Sequence, residues 1–327
     1  MVQYRDYTYQ SPLAPYIREF IAERRSLGFI YNGKAYQLFR LDQYWSRKGF
    51  KDAMINLERL EEWLCALPGE SRSSHNGRIG AVKSLAVYLN TLGIESYVPL
   101  VNVGKDDNQI HILDKTERTE LFDVIDSYVP CSVNQADYRM ADEYPIMFRL
   151  YYCCGMRNNE VCSLKTSDVD LEQGVITILD GKNQKDRLVY MPEDLRILAG
   201  KYFASLRSHL GFMPYWFFPG RHPENHIGKT TIDKKFREFW NSTESSLRCD
   251  KNPTPHSLRH GFVVDRINSW ILNGIDLNVM FIYLSKYLGH KDPNESFYYY
   301  HLAGDAFRII RQKDTMSSDV IPEVRRR

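Results

Sequence analysis

The chain has little net charge. Its 43 lysines and arginines are nearly balanced by 41 aspartates and glutamates, leaving a formal charge of +2 and a pI near 8.1. So even a balance neither requires nor excludes a polyanionic partner, and any nucleic-acid reading must come from local clusters. No apolar run approaches the roughly 18 residues that a membrane-spanning helix needs. The start, Met1-Val2-Gln3-Tyr4-Arg5-Asp6, lacks the apolar stretch of a secretory leader. Cysteine is sparse too. Residues 65, 131, 153, 154, 162 and 249 show neither C-x-x-C spacing nor the dense framework of a small secreted domain. Together these absences predict a cytoplasmic protein with reduced thiols and no membrane segment. Cys153 and Cys154 lie in an apolar run and read as core rather than as nucleophiles.

What is present is length and aromatic bulk. The 327 residues suit two domains with a sizeable core, and 22 Tyr, 16 Phe and 5 Trp are read chiefly as the material of that core. From Pro12 to about Gly93 the apolar residues recur at helical spacing. Leu13, Tyr16, Ile17, Phe20, Ile21 and Leu27 mark a first helix and Leu38, Leu41 and Trp45 a second. Leu57, Leu60, Trp63 and Leu64 mark a short third, and Ile79, Val82, Leu85, Ala86, Leu89 and Leu92 a fourth that Gly93 closes. Four helices with short connections predict a small bundle. Pro99 to Gln109 reads as a polar, extended linker, and Asp114-Lys115-Thr116-Glu117 as a capping-box helix start. A longer helix after Ala136, which Pro145 should bend, ends at Gly155. Val175–Leu179 and Arg187–Tyr190 predict a hairpin joined by residues 180–186, followed by helices over 193–209, 227–240 and 277–287.

Two stretches carry chemistry. In Thr254-Pro255-His256-Ser257-Leu258-Arg259-His260, a His and an Arg three apart share one helix face and can grip one anion. Leu288-Gly289-His290 follows, and Phe297-Tyr298-Tyr299-Tyr300-His301 places a tyrosine nine residues after His290. A phenolate attacks phosphorus only where cations neutralise the phosphate, so the pairing suggests phosphoryl transfer. The second stretch is Gly155-Met156-Arg157-Asn158-Asn159-Glu160, with the turn Gly181-Lys182-Asn183-Gln184-Lys185 beyond it. Taken alone, each is bland: H-x-x-R is a common helix start, an Arg-Glu pair at helical spacing a common surface feature, and a Lys in a polar turn ordinary solvent decoration.

Together and in this order they resemble the catalytic signatures of the tyrosine recombinases, the phage-integrase family: G-[LM]-R-x-x-E, a G-K-x-x-K-x-R turn, H-x-x-R, L-G-H and a tyrosine nine residues on. The resemblance is specific over residues 155–190 and 254–301 and only architectural over 12–105. It implies a mainly α fold with a small β-hairpin sheet. A helical, SAM-like core-binding clamp would occupy residues 1–105 and a mixed α/β catalytic domain 106–302. Residues 303–327 would form a tail exchangeable between protomers. It implies a site-specific recombinase that cuts and rejoins DNA through a 3′-phosphotyrosine, for integration, excision or a related rearrangement. By the same resemblance Tyr299 is the nucleophile, Arg157 and Arg259 stabilise the non-bridging oxygens, and His290 adds a hydrogen bond there. His256 takes the tyrosine proton, and Lys182, with Lys185 as rival, gives one to the leaving 5′-oxygen. Glu160, His260 and His301 support the site. No metal and no nucleotide cofactor enters. Implied partners are a double-stranded DNA recombination site, a tetramer of protomers on it, and a second recombinase or an accessory DNA-bending protein, with no membrane. Read this way, Arg24, Arg25, Arg47, Lys48, Arg72, Arg78, Lys83, Lys234 and Lys235 become candidate phosphate contacts, which position a protein without reading sequence. Gly261 departs from the family, where a small hydroxyl residue is usual, and predicts looser packing below the site. The rival readings are a type IB topoisomerase, a DNA-binding accessory protein with a disabled site, and a nuclease with zinc on the i,i+4 pair His256 and His260.

Overall fold

The computed structural model describes residues 4–104, 110–179, 186–290 and 299. The chain divides into two compact units, residues 1–109 and 110–327.

The first unit is the expected four-helix bundle: α1 (Ala14–Ser26), α2 (Asn32–Lys48), α3 (Leu57–Leu64) and α4 (Arg72–Thr91). Local chemistry sets the ends. The Asn56 side chain accepts from the Arg59 N–H at the start of α3, and Ser71 from the Ser74 N–H at the start of α4. Gly49, at φ +70°, turns the chain out of α2. The apolar stripes converge on one core, with Ile17, Phe20, Leu38, Leu41, Trp45, Leu60, Leu85 and Leu89 all buried. Asp42 is buried within it and accepts from the Ser11 N–H and hydroxyl and from the Gln10 N–H, which ties down the segment ahead of α1.

The second unit opens with α5 (Lys115–Asp126), where Asp114 and Glu117 form the expected reciprocal capping box. The long α6 (Gln135–Cys154) follows and is one helix through Pro145. Then come α7 (Asn158–Cys162), β1 (Val169–Asp170), β2 (Val175–Ile178), β3 (Arg187–Tyr190), α8 (Glu193–Leu210), α9 (Lys229–Asn241), α10 (Pro255–Leu272) and α11 (Leu277–Leu288). The sheet is antiparallel in the order β1-β2-β3, with Val175 opposite Tyr190 and Ile178 opposite Arg187. Ile176, Ile178 and Val189 face inward, while Leu188 and Tyr190 are exposed. The fold is thus mainly α with a small sheet. The two-residue β1 was not foreseen, being too short for any alternation to show. α6 is the central element: Met147, Phe148, Leu150 and Tyr151 are buried, and α8 and α10 both pack on it. All six cysteines are unpaired thiols, with Cys154 and Cys162 in the core. Among the described residues no helix is long and apolar enough to cross a membrane.

Candidate active site

The site begins where α6 stops. Gly155 takes the left-handed conformation (φ +61°), and a Cβ there would lie 2.6 Å from the Phe262 ring of α10, so only glycine fits. The reversal sets Arg157 at the start of α7. Its N–H donates to Glu160 Oε2 at 2.8 Å, its Nη1 to Glu160 Oε1 at 2.9 Å and its Nη2 to the Gly289 carbonyl at 2.6 Å. A second guanidinium completes this clamp. Arg187 of β3 donates to both Glu160 oxygens, at 2.9 and 2.6 Å, and through Nε to the Tyr287 carbonyl at 2.8 Å. Glu160 therefore lies between two arginines, holding Arg187 in planar two-point geometry and Arg157 through one guanidinium nitrogen and its backbone N–H. Gly289, at φ +65°, lets them close in, since a Cβ there would meet Arg157 Nη1 at 3.1 Å and Arg187 Nη1 at 3.2 Å.

The other half hangs on α10, whose N-terminus is set by Pro255 and by the Thr254 N–H donating to the Ser257 hydroxyl. Arg259, fully buried, donates to the carbonyl of Gly155, to that of Leu288 at 3.0 Å and to His290 Nε2 at 3.2 Å. One side chain thus joins the ends of α6 and α11 and orients His290. Because the guanidinium can only donate, Nε2 of His290 accepts and its proton resides on Nδ1. Tyr299 is buried among Phe262, Val263, Leu284 and Leu288, and its hydroxyl lies 2.7 Å from Nδ1 of His260. His256 stacks edge-on against His260 with ring centroids 4.4 Å apart.

Electrostatics separate permanent charge from neutral ring. Burial, then the charge of Arg157, lowers Arg259 to about 10, still protonated at neutral pH. Burial, then His256 and Arg259, pushes His260 down to about 3. Burial, then Arg259 and Arg157, pushes His290 down to about 4. His256 shifts the same way for the same causes, although the residue as a whole is exposed. Burial alone would raise Glu160, but the hydrogen bonds and charge of Arg187, joined by Arg157, hold it below its ordinary range. Three guanidiniums thus face one carboxylate, with neutral imidazoles beside them. That surplus of fixed positive charge suits an anion that gains charge as it reacts.

Of the sequence-predicted site residues, the structure brings together Arg157, Glu160, His256, Arg259, His260, His290 and Tyr299. Lys182, its rival Lys185, and His301 lie outside the described residues. One pairing needs correction: the phenol meets His260, 2.7 Å away, and His256 packs against that ring from one turn earlier in α10. One residue was missed. Arg187 closes the G-K-x-x-K-x-R pattern, and strand patterning alone shows it only as the first residue of β3. At Gly261 a Cβ would meet the Tyr152 ring at an ordinary 3.6 Å, so the glycine leaves room for a methyl there.

The candidate DNA contacts fare unevenly. Arg78 is buried; it donates to both Glu70 oxygens and to the carbonyls of Trp63 and Cys65, so it is a structural residue of the bundle. Lys235 is held by Tyr128 and Glu238, Arg25 by Asp6 and the Arg5 carbonyl, and Lys48 with Arg47 by Glu62. Arg24 lies 5.1 Å over the Phe20 ring. Arg72, Lys83 and Lys234 are exposed. Among the described residues, His111, Glu117 and Cys249 form a group of three with metal-ligand chemistry.

Over 162 residues the chain is 32% identical to the tyrosine recombinase XerD of Pseudomonas putida, covering 48% of this chain and 49% of that protein. Over 241 residues it is 28% identical to XerD of Neisseria meningitidis serogroup A, covering 72% and 74%. The chain thus spans about half of the first relative and about three quarters of the second. The XerH site-specific recombinase bound to its palindromic difH substrate shares the fold at a TM-score of 0.62 and 22% identity, over 88% of this chain and 79% of that one. The Tn1549 transposon integrase in complex with a circular intermediate DNA does so at 0.62 and 17%, over 91% and 98%. The sequence pattern of the phage integrase family runs through residues 113–305, more than half of the 327, and the chain belongs to that family, the tyrosine recombinases.

Proposed function

We propose that the chain is a site-specific DNA recombinase that cuts and rejoins duplex DNA through a 3′-phosphotyrosine on Tyr299. The observation that carries this is the 2.7 Å contact between the Tyr299 hydroxyl and a neutral His260. A neutral imidazole can accept the phenol proton as the oxygen attacks phosphorus. Arg259, Arg157 and His290 then hold the non-bridging oxygens, with Arg187 and Glu160 fixing Arg157 in place. In the free protein His260 is a weak base. An arriving phosphate, being negative, raises the proton affinity of every imidazole near it, so substrate binding itself turns the base on. Lys182 gives a proton to the departing 5′-oxygen, and the phosphotyrosine conserves the bond until another strand's 5′-hydroxyl reverses the step. His256, at the solvent side of His260, passes the proton outward.

Residues 1–105 serve as the clamp on the duplex and 106–302 as the catalytic domain, with 303–327 exchanged between protomers. Four protomers act in two pairs on a recombination site, in the cytoplasm, with a second recombinase or a DNA-bending protein as further partner. Arg24, Arg47, Arg72, Lys83 and Lys234 contact the DNA backbone.

The test is to trap the adduct. A duplex found by footprinting the chain on DNA that flanks its own coding sequence is nicked beside the bound centre, so that the released fragment diffuses away. Peptide mass spectrometry should place the nucleotide on Tyr299, and Tyr299→Phe should give none. Modification of Tyr298 or Tyr300 instead would overturn the assignment.

A further inference from the structure

Away from the catalytic groups, three donor side chains from three segments of the second unit converge. His111 precedes α5, Glu117 lies in its first turn, and Cys249 lies in the loop that leads to α10. Nε2 of His111 is 2.9 and 3.0 Å from the two oxygens of Glu117 and 3.7 Å from Sγ of Cys249. A tetrahedral zinc with bonds of about 2.0–2.3 Å sets its nitrogen, oxygen and sulfur ligands roughly 3.3–3.6 Å apart, close to these separations. Without a metal, the Cys249 thiol donates to the Lys251 carbonyl at 3.2 Å, and one ring nitrogen, carrying at most one proton, cannot also be shared between the carboxylate and a deprotonated sulfur. A cation between the three satisfies them all.

The surroundings also hold the ligands in place. The Asp114 N–H donates to Glu117 Oε2 at 2.8 Å, and the His111 ring packs near Trp240 at 6.2 Å between centroids. Such outer contacts orient a metal's ligands. We infer that His111, Glu117 and Cys249 form a binding site for a zinc-type divalent ion, with the fourth position left to water. Bound metal would tie the entry of α5 to the loop five residues ahead of the N-cap of α10, the helix that carries His256, Arg259 and His260. Its task would be to hold that loop rather than to take part in the phosphoryl transfer.

The test uses the full chain, stripped with a chelator and reduced, then titrated with cobalt(II). One equivalent should produce a thiolate-to-cobalt charge-transfer band that zinc abolishes. Cys249→Ser and His111→Ala should lose the band, while Cys65→Ser and Cys131→Ser, at exposed thiols, should keep it. Alkylation of Cys249 in the wild-type chain, followed peptide by peptide, gives a readout that needs no variant: zinc should slow it at least tenfold. No band at one equivalent, a band surviving Cys249→Ser, or alkylation of Cys249 indifferent to zinc would each overturn the site. None of these readouts involves DNA, so their failure is distinct from failure of the recombinase reading.

Discussion

At the scale of single residues, the chemistry turns on which imidazole meets the phenol. The H-x-x-R spacing marked His256 and Arg259 as partners on one helix face, and the L-G-H and tyrosine offsets located His290 and Tyr299. These were legible because each is a fixed step along the chain. The contact of His260 with Tyr299 depends instead on how residue 299 folds back over α10, and no spacing within α10 encodes it. Arg187 was hidden for a related reason. Its two-point grip on Glu160 joins a strand to α7 across 27 positions, a tertiary fact with only the closing R of a turn pattern to announce it. His260→Gln should therefore slow covalent adduct formation by about 10²–10³, within the range for a general base. His256→Gln, which leaves the phenol contact intact, should cost less than tenfold. Single-turnover adduct formation on the nicked duplex measures both, and the reverse order would return the proton to His256.

At the scale of elements, helix boundaries were readable from caps and stripes, as at Asp114, Gly93 and Gly155. Burial of individual cations was not. Arg78 sits in a basic cluster on paper, yet its position on α4 points it at Glu70 and two carbonyls inside the bundle. The junction of α6 with α10 illustrates how two glycines differ. Gly155 has positive φ and stands against Phe262, so Gly155→Ala combines backbone strain with overpacking and should cost about 2–4 kcal/mol. Gly261 is in mid-helix with ordinary room for a methyl against Tyr152, so Gly261→Ala should gain about 0.5–1 kcal/mol. Denaturant melts of the two variants test this pair. Stabilisation by Gly155→Ala, or destabilisation by Gly261→Ala, would contradict the described packing.

At the scale of the whole molecule, a site that keeps histidines neutral beside arginines makes stability depend on pH. His260 is the clearest case, being 8% exposed and held near 3 against 6.5 for a free imidazole. Above pH 6.5 the ring is neutral whether the chain is folded or not, and its contribution is complete. Below that value the unfolded chain takes up a proton that the folded ring refuses, so stability falls as the pH drops towards 3. At about 1.4 kcal/mol per unit, moving from pH 7 to pH 5 removes of order 2 kcal/mol through this residue. His290 acts in the same sense. Glu143 acts in the opposite one: burial raises it well above the carboxylate range despite Arg139, so acid relieves the cost of its charge. Because such groups overlap, the useful quantity is a difference between proteins. Unfolding free energies of the wild-type chain and of His260→Gln, each measured by denaturant at pH 7 and pH 5, should show the variant losing less by about 2 kcal/mol. Adding the DNA site should narrow that gap, since a bound phosphate lifts the imidazole towards its free value. Equal losses in the two proteins would mean that His260 already takes up a proton in the folded state, and the neutral base proposed for Tyr299 would have to be abandoned.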